Sequence, residues 1–314
     1  MDVKIPKRII FIWLGTDLPD SAILAIRSAC AKSRPLECLL LHEGLNKEDP
    51  RLKKLVFQTG VVLETIESSL FIDLPGDQGR ASHIFYGDYT PATRANILRM
   101  AILYKRGGIY LDTDTITVAG FDDLLGYEGF CGTEPVVYPY EVRANPTLVS
   151  LVSPWIKKQY RRLCVKLPSG YRLYRKSGFA YKEAVNNAVI GSAPGNPIWS
   201  EAFARINAMS EAEINVRFRM GTHLLQELSN NKPSQRMHVL PSKYFYPLGP
   251  EISAFWFKQK YSAHLIDMLY KETRVVHWYN SLEQSYIKEP LTFDWLRANP
   301  TTPLYALTRN YLND

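Results

Sequence analysis

The residues with the clearest chemical use are Asp112 and Asp114, two carboxylates separated by a single residue. Alternate side chains of an extended segment share a face, so both can approach one cation. Their oxygens suit a hard ion such as Mg²⁺ or Mn²⁺, which keeps positions open for phosphate oxygens. An ion held there neutralises a diphosphate and helps it leave. A D-x-D by itself is a common solvated turn; the residues ahead of this one give it weight.

Those residues read as a helix, a stop and a strand. Ile97, Met100, Ala101 and Tyr104 recur three or four apart, as on one packed helix face. Pro91 suits a first turn, and Lys105 and Arg106 suit the negative end of the helix dipole. Gly107 and Gly108 can take the left-handed conformation that ends a helix. Ile109-Tyr110-Leu111 then reads as a short buried strand that delivers the two acids at its exit.

The chain ahead of this stretch alternates strands and helices. Ile9 to Leu14 is a continuous apolar run ended by Gly15, as expected of a central strand in a parallel sheet. Ligands bind beyond the carboxyl ends of such strands, where Trp13 and Gly15 stand. Trp13 reads equally as a base contact or as core filling. Asp20 is expected to cap a helix over 21–32, followed by a strand over 37–42, a helix over 49–59 and a strand over 61–66. This β-α-β-α-β order predicts an α/β nucleotide-binding sheet. There is no G-x-G-x-x-G and no G-x-x-x-x-G-K-(S/T), so a diphosphate here needs a metal rather than a glycine cradle. Residues 68–90 read as a long loop, and 115–118, 130–133 and 136–142 as further strands.

Length and composition set the remaining bounds. The 314 residues, 46% of them hydrophobic, can build a substantial core. The net charge of +7 is local: residues 155–182 hold nine Lys or Arg and no acid, leaving 29 basic against 31 acidic residues elsewhere. That segment reads as a solvated face or lid, or as a dock for anionic lipid headgroups, nucleic acid or an acidic glycan. No base-reading motif accompanies the charge, so nucleic acid ranks last. Cys30, Cys38, Cys131 and Cys164 form no C-x-x-C pair and are expected to be buried thiols in a reducing compartment. The six apolar residues after Arg8 are too few for a secretory core or a membrane span.

The segment Arg94–Asp114 resembles the D-x-D region of retaining glycosyltransferases, the group of "sugar-binding region containing D-x-D" proteins. That group includes α-mannosyl- and α-1,4-galactosyltransferases and is related to the glucosylating domain of large clostridial toxins. The match runs through Arg99, Leu103, Gly107, Gly108, Tyr110, Asp112 and Asp114, and departs at Asn96, where the family usually has Asp. Further similar segments are the opening Ile5-Pro6-Lys7 with Trp13, the stretch from Asn186 to Pro197, Leu240-Pro241 to Pro247, and His277-Trp278-Tyr279-Asn280-Ser281.

The resemblance implies a GT-A-like, Rossmann-type sheet flanked by helices, with a helical basic insertion and a C-terminal closing segment. It implies one glycosyltransferase domain over 1–314: a nucleotide-sugar-binding half (1–150), the insertion or lid (151–185), and an acceptor-side half with a closing tail (186–314). Asp112, Asp114 and Arg99 would be catalytic. Trp13, Gly15, Asn96, Tyr110, Asn187 and Trp278 would bind the donor, and Asp112, Asp114, His277 and Asn280 the Mn²⁺ or Mg²⁺. The donor would be a nucleoside diphosphate sugar, UDP- ahead of GDP-linked, and the acceptor a glycan (such as a surface polysaccharide), a protein or a small molecule. The family's eukaryotic members carry a Golgi anchor; without one, a bacterial cytoplasmic enzyme is expected, peripheral to an anionic membrane through 155–182, or one delivered into a host cell without a cleaved signal. Asn96 cannot act as a carboxylate nucleophile, so retention implies a front-face displacement or, as the alternative, a sugar-nucleotide or glycan binder with little turnover.

Overall fold

The computed structural model describes residues 4–34, 36–137, 148–231, 236–283, 286–287 and 289–312. The chain divides into two compact units. The first comprises 1–113, 119–132 and 185–240; the second comprises 114–118, 133–184 and 241–314.

The first unit is built on a mixed sheet of order β3-β2-β1-β4-β7-β6-β8. Its strands are β1 (Arg8–Leu14), β2 (Glu37–Glu43), β3 (Val62–Thr65), β4 (Gly108–Leu111), β6 (Gly129–Val136), β7 (Lys182–Ser192) and β8 (His238–Leu240), the ends of β6 and β7 running past the unit's limits. β1, β2, β3 and β4 are parallel, β7 pairs antiparallel with β4, and β8 is parallel to β6. Ile9, Ile10 and Phe11 are fully buried, as the unbroken apolar run requires of a strand covered on both faces. The chain leaves β1 toward β2 and β3, then returns to β1's other side as β4. The order therefore reverses between β1 and β4, the place where α/β sheets bind ligands.

Helix α4 (Pro91–Arg106) sets the height of β4. Its N-cap, Thr90, accepts from the Thr93 N–H at 3.2 Å, and Gly107 stops it at φ +62° while donating to Leu103 O. A Cβ on Gly107 would lie 2.7 Å from Pro194 Cδ and 2.8 Å from Ser192 O, so only glycine lets the chain turn into β4 against β7. Ile97, Leu98, Ala101 and Ile102 are wholly buried and join Ile10, Ile12, Leu39 and Leu41 in one apolar cluster. Each leucine or isoleucine among them contributes about 1.5–3 kcal/mol. Helices α1 (Asp20–Lys32) and α2 (Pro50–Thr59) complete the predicted alternation.

Several local expectations change. Asp20 is the first residue of α1 rather than its cap, with Pro19 before it and its carboxylate paired to Arg51. Residues 68–90 are not a bare loop: Ser68–Phe71 makes a 3₁₀ turn and α3 spans Arg80–Tyr86. Phe71 and Phe85 stack there at 4.8 Å between centroids, an aromatic pair that periodicity over so short a run does not announce. The strand expected over 136–142 ends at Val136, and 138–147 lie outside the described residues. A wide π turn over Arg219–His223, not anticipated, runs into a helix over Leu224–Asn231.

The second unit holds a two-stranded antiparallel ribbon, β5 (Thr115–Thr117) with β9 (Val275–His277), in register Thr115↔His277. The basic segment is helical, as predicted: Leu148–Lys166 and Gly170–Lys176. Its core is aromatic, with Tyr171, Tyr174, Phe245, Tyr246, Trp256 and Trp278 essentially inaccessible. Short helices Phe293–Ala298 and Pro303–Thr308 form the tail.

Candidate functional site

In the first unit, Asp112 leaves β4 with its N–H donating to Ala188 O of β7 at 2.8 Å. Its carboxylate is held from two sides: Arg99 Nη2 lies 3.1 Å from Oδ1, and the Tyr110 hydroxyl donates to the same oxygen. Arg99 also donates to Asn187 O at 2.7 Å, and its guanidinium carbon sits 4.3 Å from the Tyr110 ring centre. At 7% exposure Arg99 is spent inside the protein. Arg99, expected to be catalytic, is paired with the neighbouring carboxylate. Tyr110 is likewise buried against Arg99.

A chain of polar side chains lies beside this cluster. Thr222 Oγ1 donates to Asn187 Oδ1 at 3.2 Å, and Asn187 Nδ2 donates to Asn96 Oδ1 at 2.9 Å. Asn96 and Asn187, expected together at the donor site, do meet. An aspartate at 96 would accept the same bond, so the departure from the family pattern keeps the contact and removes a negative charge. Gly221 makes room: a Cβ there would lie 2.5 Å from Asn187 Nδ2 and 3.0 Å from Asn96 Oδ1. Thr222 and Gly221 were not among the expected site residues. His223 beside them is buried.

In the second unit, Asp114 Oδ1 lies 3.0 Å from His277 Nε2. Register explains this: β5 and β9 pair Thr115 with His277, one residue past Asp114, and the Trp278 N–H donates to Asp114 O at 3.2 Å. The Asn280 N–H donates to Asp114 Oδ2 at 2.9 Å. Asn280 thus reaches the carboxylate through its backbone, while its side chain is exposed. Burial pushes the Asp114 carboxyl up, but the charge and hydrogen bond of His277 and the Asn280 N–H outweigh it, holding the group below its ordinary value. Tyr279 packs on His277 at 4.1 Å between ring centres and donates to Glu134 Oε2 at 2.9 Å. Its φ of +63° is a strained value for a tyrosine and fixes the turn that presents Asn280. Neither Tyr279 nor Glu134 was singled out as a site residue, because nothing in their spacing links them.

The remaining expected residues fall as follows. Trp13 is partly buried at the carboxyl end of β1, and its Nε1 is enclosed without a hydrogen-bond partner among the described residues. Gly15 donates to Glu43 O at 2.9 Å, closing β1 onto β2. Trp278 is fully buried, edge-on to Phe257 at 6.3 Å, and serves as core of the second unit.

Two donors on neighbouring positions of an octahedral ion at 2.0–2.1 Å are about 3.0 Å apart. The Asp114–His277 separation meets that requirement as it stands. Carboxylate and imidazole also form a donor set suited to Mn²⁺ or Mg²⁺ with imidazole favouring the former. Asp112 follows two residues earlier in the chain.

Residues 28–131 match the family described as "Glycosyltransferase sugar-binding region containing DXD motif". A 160-residue stretch is 26% identical to the uncharacterized glycosyltransferase L373 of Acanthamoeba polyphaga mimivirus, covering 50% of this chain and 47% of that protein. The chain therefore spans about half the length of the curated relative it matches. Among solved structures, it is similar to the PaToxG glycosyltransferase (20% identity, TM-score 0.46, 73% of this chain and 70% of that one). It is also similar to the glycosyltransferase GlyE of Streptococcus pneumoniae TIGR4 (12%, 0.48, 98% and 61%) and to the UDP-bound glycosyltransferase domain of the YGT toxin (11%, 0.45, all of both chains). The family match is confined to residues 28–131, and Asp112-Thr113-Asp114 lies within it.

Proposed function

We propose that the protein is a metal-dependent, retaining glycosyltransferase that moves a hexose or N-acetylhexosamine from a UDP-linked donor, ahead of a GDP-linked one, to a glycan, protein or small-molecule acceptor. The observation that carries the reading is Asp114 with His277 at 3.0 Å, next to the family's acidic pair. Asp112, Asp114 and His277 are proposed to hold Mn²⁺ or Mg²⁺. When bound, the ion supplies positive charge to the departing diphosphate. Asn280 positions Asp114 through its backbone N–H, and its exposed side-chain carboxamide oxygen is proposed as a further ligand of the ion.

The chain's own residues would do the rest. Arg99 and Tyr110 fix the Asp112 carboxylate so that little reorganisation accompanies reaction. Asn96 keeps an NH₂ and Asn187 one N–H to offer to sugar hydroxyls, beyond the bond they share. Trp13 and Gly15, at the sheet's switch point, are assigned to the base. With no carboxylate at 96, the leaving phosphate oxygen would take the acceptor's proton on the face it departs from. A cytoplasmic setting is proposed, supported by four buried free thiols, Cys30, Cys38, Cys131 and Cys164.

The test is a donor screen: hydrolysis of UDP- and GDP-sugars with Mn²⁺, with Mg²⁺ and with chelator. Metal-dependent release of nucleoside diphosphate from one donor supports the reading; no release from any donor refutes it. Asn96 favours a second reading, a sugar-nucleotide binder without turnover. Calorimetry showing Mn²⁺-dependent UDP-sugar binding together with absent hydrolysis would select that one.

A further inference from the structure

The basic segment of the second unit has a surface that its charge alone does not explain. In helix Leu148–Lys166, Ile156 and Leu163 are seven residues apart, hence on one stripe, and are 54% and 55% exposed. Tyr160 lies between them on the helix, and the exposed ring of Phe179 packs against it at 5.2 Å. Leu167 continues the stripe just past the helix end, and Trp155 borders it at 60% exposure. The helix is attached by its other side, where Cys164 is fully buried and Arg161 donates to Glu251 O at 3.3 Å.

The cations of the segment divide into two sets. Arg161, Arg172 and Arg175 hold the fold together, on Glu251, Asp267 and the carbonyl of Pro247. Arg162 and Lys166 are one turn apart, exposed, and flank the apolar stripe; neither has an acid partner among the described residues. Lys176 and Lys182 are exposed in the same way.

Each half of this pattern alone would suggest a different partner. Cations without the stripe would suit any polyanion; aliphatic side chains gain nothing from a nucleic acid backbone. The stripe without the cations would suit self-association, but a two-fold contact would set this acid-free segment against itself. Aliphatic and aromatic side chains beside long cationic ones suit a bilayer interface, where apolar groups enter the acyl boundary and Lys or Arg heads stay at anionic headgroups. We propose that the face of Leu148–Lys166 carrying Ile156 and Leu163, together with Phe179, docks on an anionic phospholipid bilayer. This goes beyond the sugar-transfer reading and stands without it.

The experiment is co-sedimentation of the full chain with vesicles of phosphatidylcholine, with and without phosphatidylserine. Folding of each variant is checked by thermal melting. The expected result is salt-sensitive binding only to the anionic vesicles. It should weaken roughly tenfold or more in Arg162→Glu/Lys166→Glu, and by a similar factor in Ile156→Ser/Leu163→Ser/Phe179→Ser. Absence of binding to anionic vesicles at low salt overturns the proposal. So does binding that the serine variant leaves unchanged, which would mark a general polyanion site, and so does a dimer in solution that the serine variant dissolves.

Discussion

Asp114 and His277, distant in the chain, meet with Oδ1 and Nε2 3.0 Å apart because β5 and β9 pair Thr115, one residue past Asp114, with His277. The pair puts an imidazole beside the second acid of the DXD motif at a separation that suits two neighbouring ligands of one ion.

Asp114→Asn should therefore abolish metal-dependent donor hydrolysis, by roughly a hundredfold or more, while the melting temperature stays near that of the parent. His277→Gln should weaken Mn²⁺ binding by about 10- to 100-fold. Calorimetric titration of Mn²⁺ reads both, and parent-like affinity in either variant contradicts the assignment.

Arg99 is a structural cation as much as a functional one. Arg99→Leu leaves Asp112 with Tyr110 as a remaining donor and takes a donor from Asn187 O, so a loss of about 1–3 kcal/mol is expected. Urea unfolding measures it. In a double-mutant cycle with Asp112→Asn, the two losses should be clearly non-additive.

Gly221→Ala tests the carboxamide chain without touching a charge. The added methyl would overlap Asn187 Nδ2, at 2.5 Å, and displace it from Asn96. The expected outcome is weaker sugar-nucleotide binding with a stability loss of about 1–3 kcal/mol. Isothermal titration with UDP-sugars and a melting curve report the two effects separately.

His42, buried on β2, gives a pH dependence. Burial first, and then the charge of Lys47, hold its imidazole below the ordinary value of 6.5. As pH falls through 6.5, the unfolded chain takes up a proton that the folded one refuses. Stability attached to this group is therefore complete above 6.5 and declines below it, levelling only under the folded value. Urea midpoints followed across this range should slope more steeply for the parent than for His42→Phe; equal slopes contradict the account.

The sequence by itself determined what neighbours along a chain control. Helix periodicity over Ile97–Tyr104, the Pro91 start, the Gly107 stop and the apolar runs of β1 and β4 follow from local sterics and the helical and strand repeats, and each is observed. The DXD acids were legible for the same reason, since their spacing is a property of one strand exit. The tertiary structure alone decided which partners those groups acquire. Thr222 on Asn187 on Asn96, and Tyr279 on Glu134, join segments far apart in sequence, while Arg99 on Asp112 closes a turn within one. It also turned Trp278 into core and set the Asn280 N–H on the Asp114 carboxylate. Strand pairing and packing set those contacts, and no spacing along the chain encodes the register in which two distant strands meet.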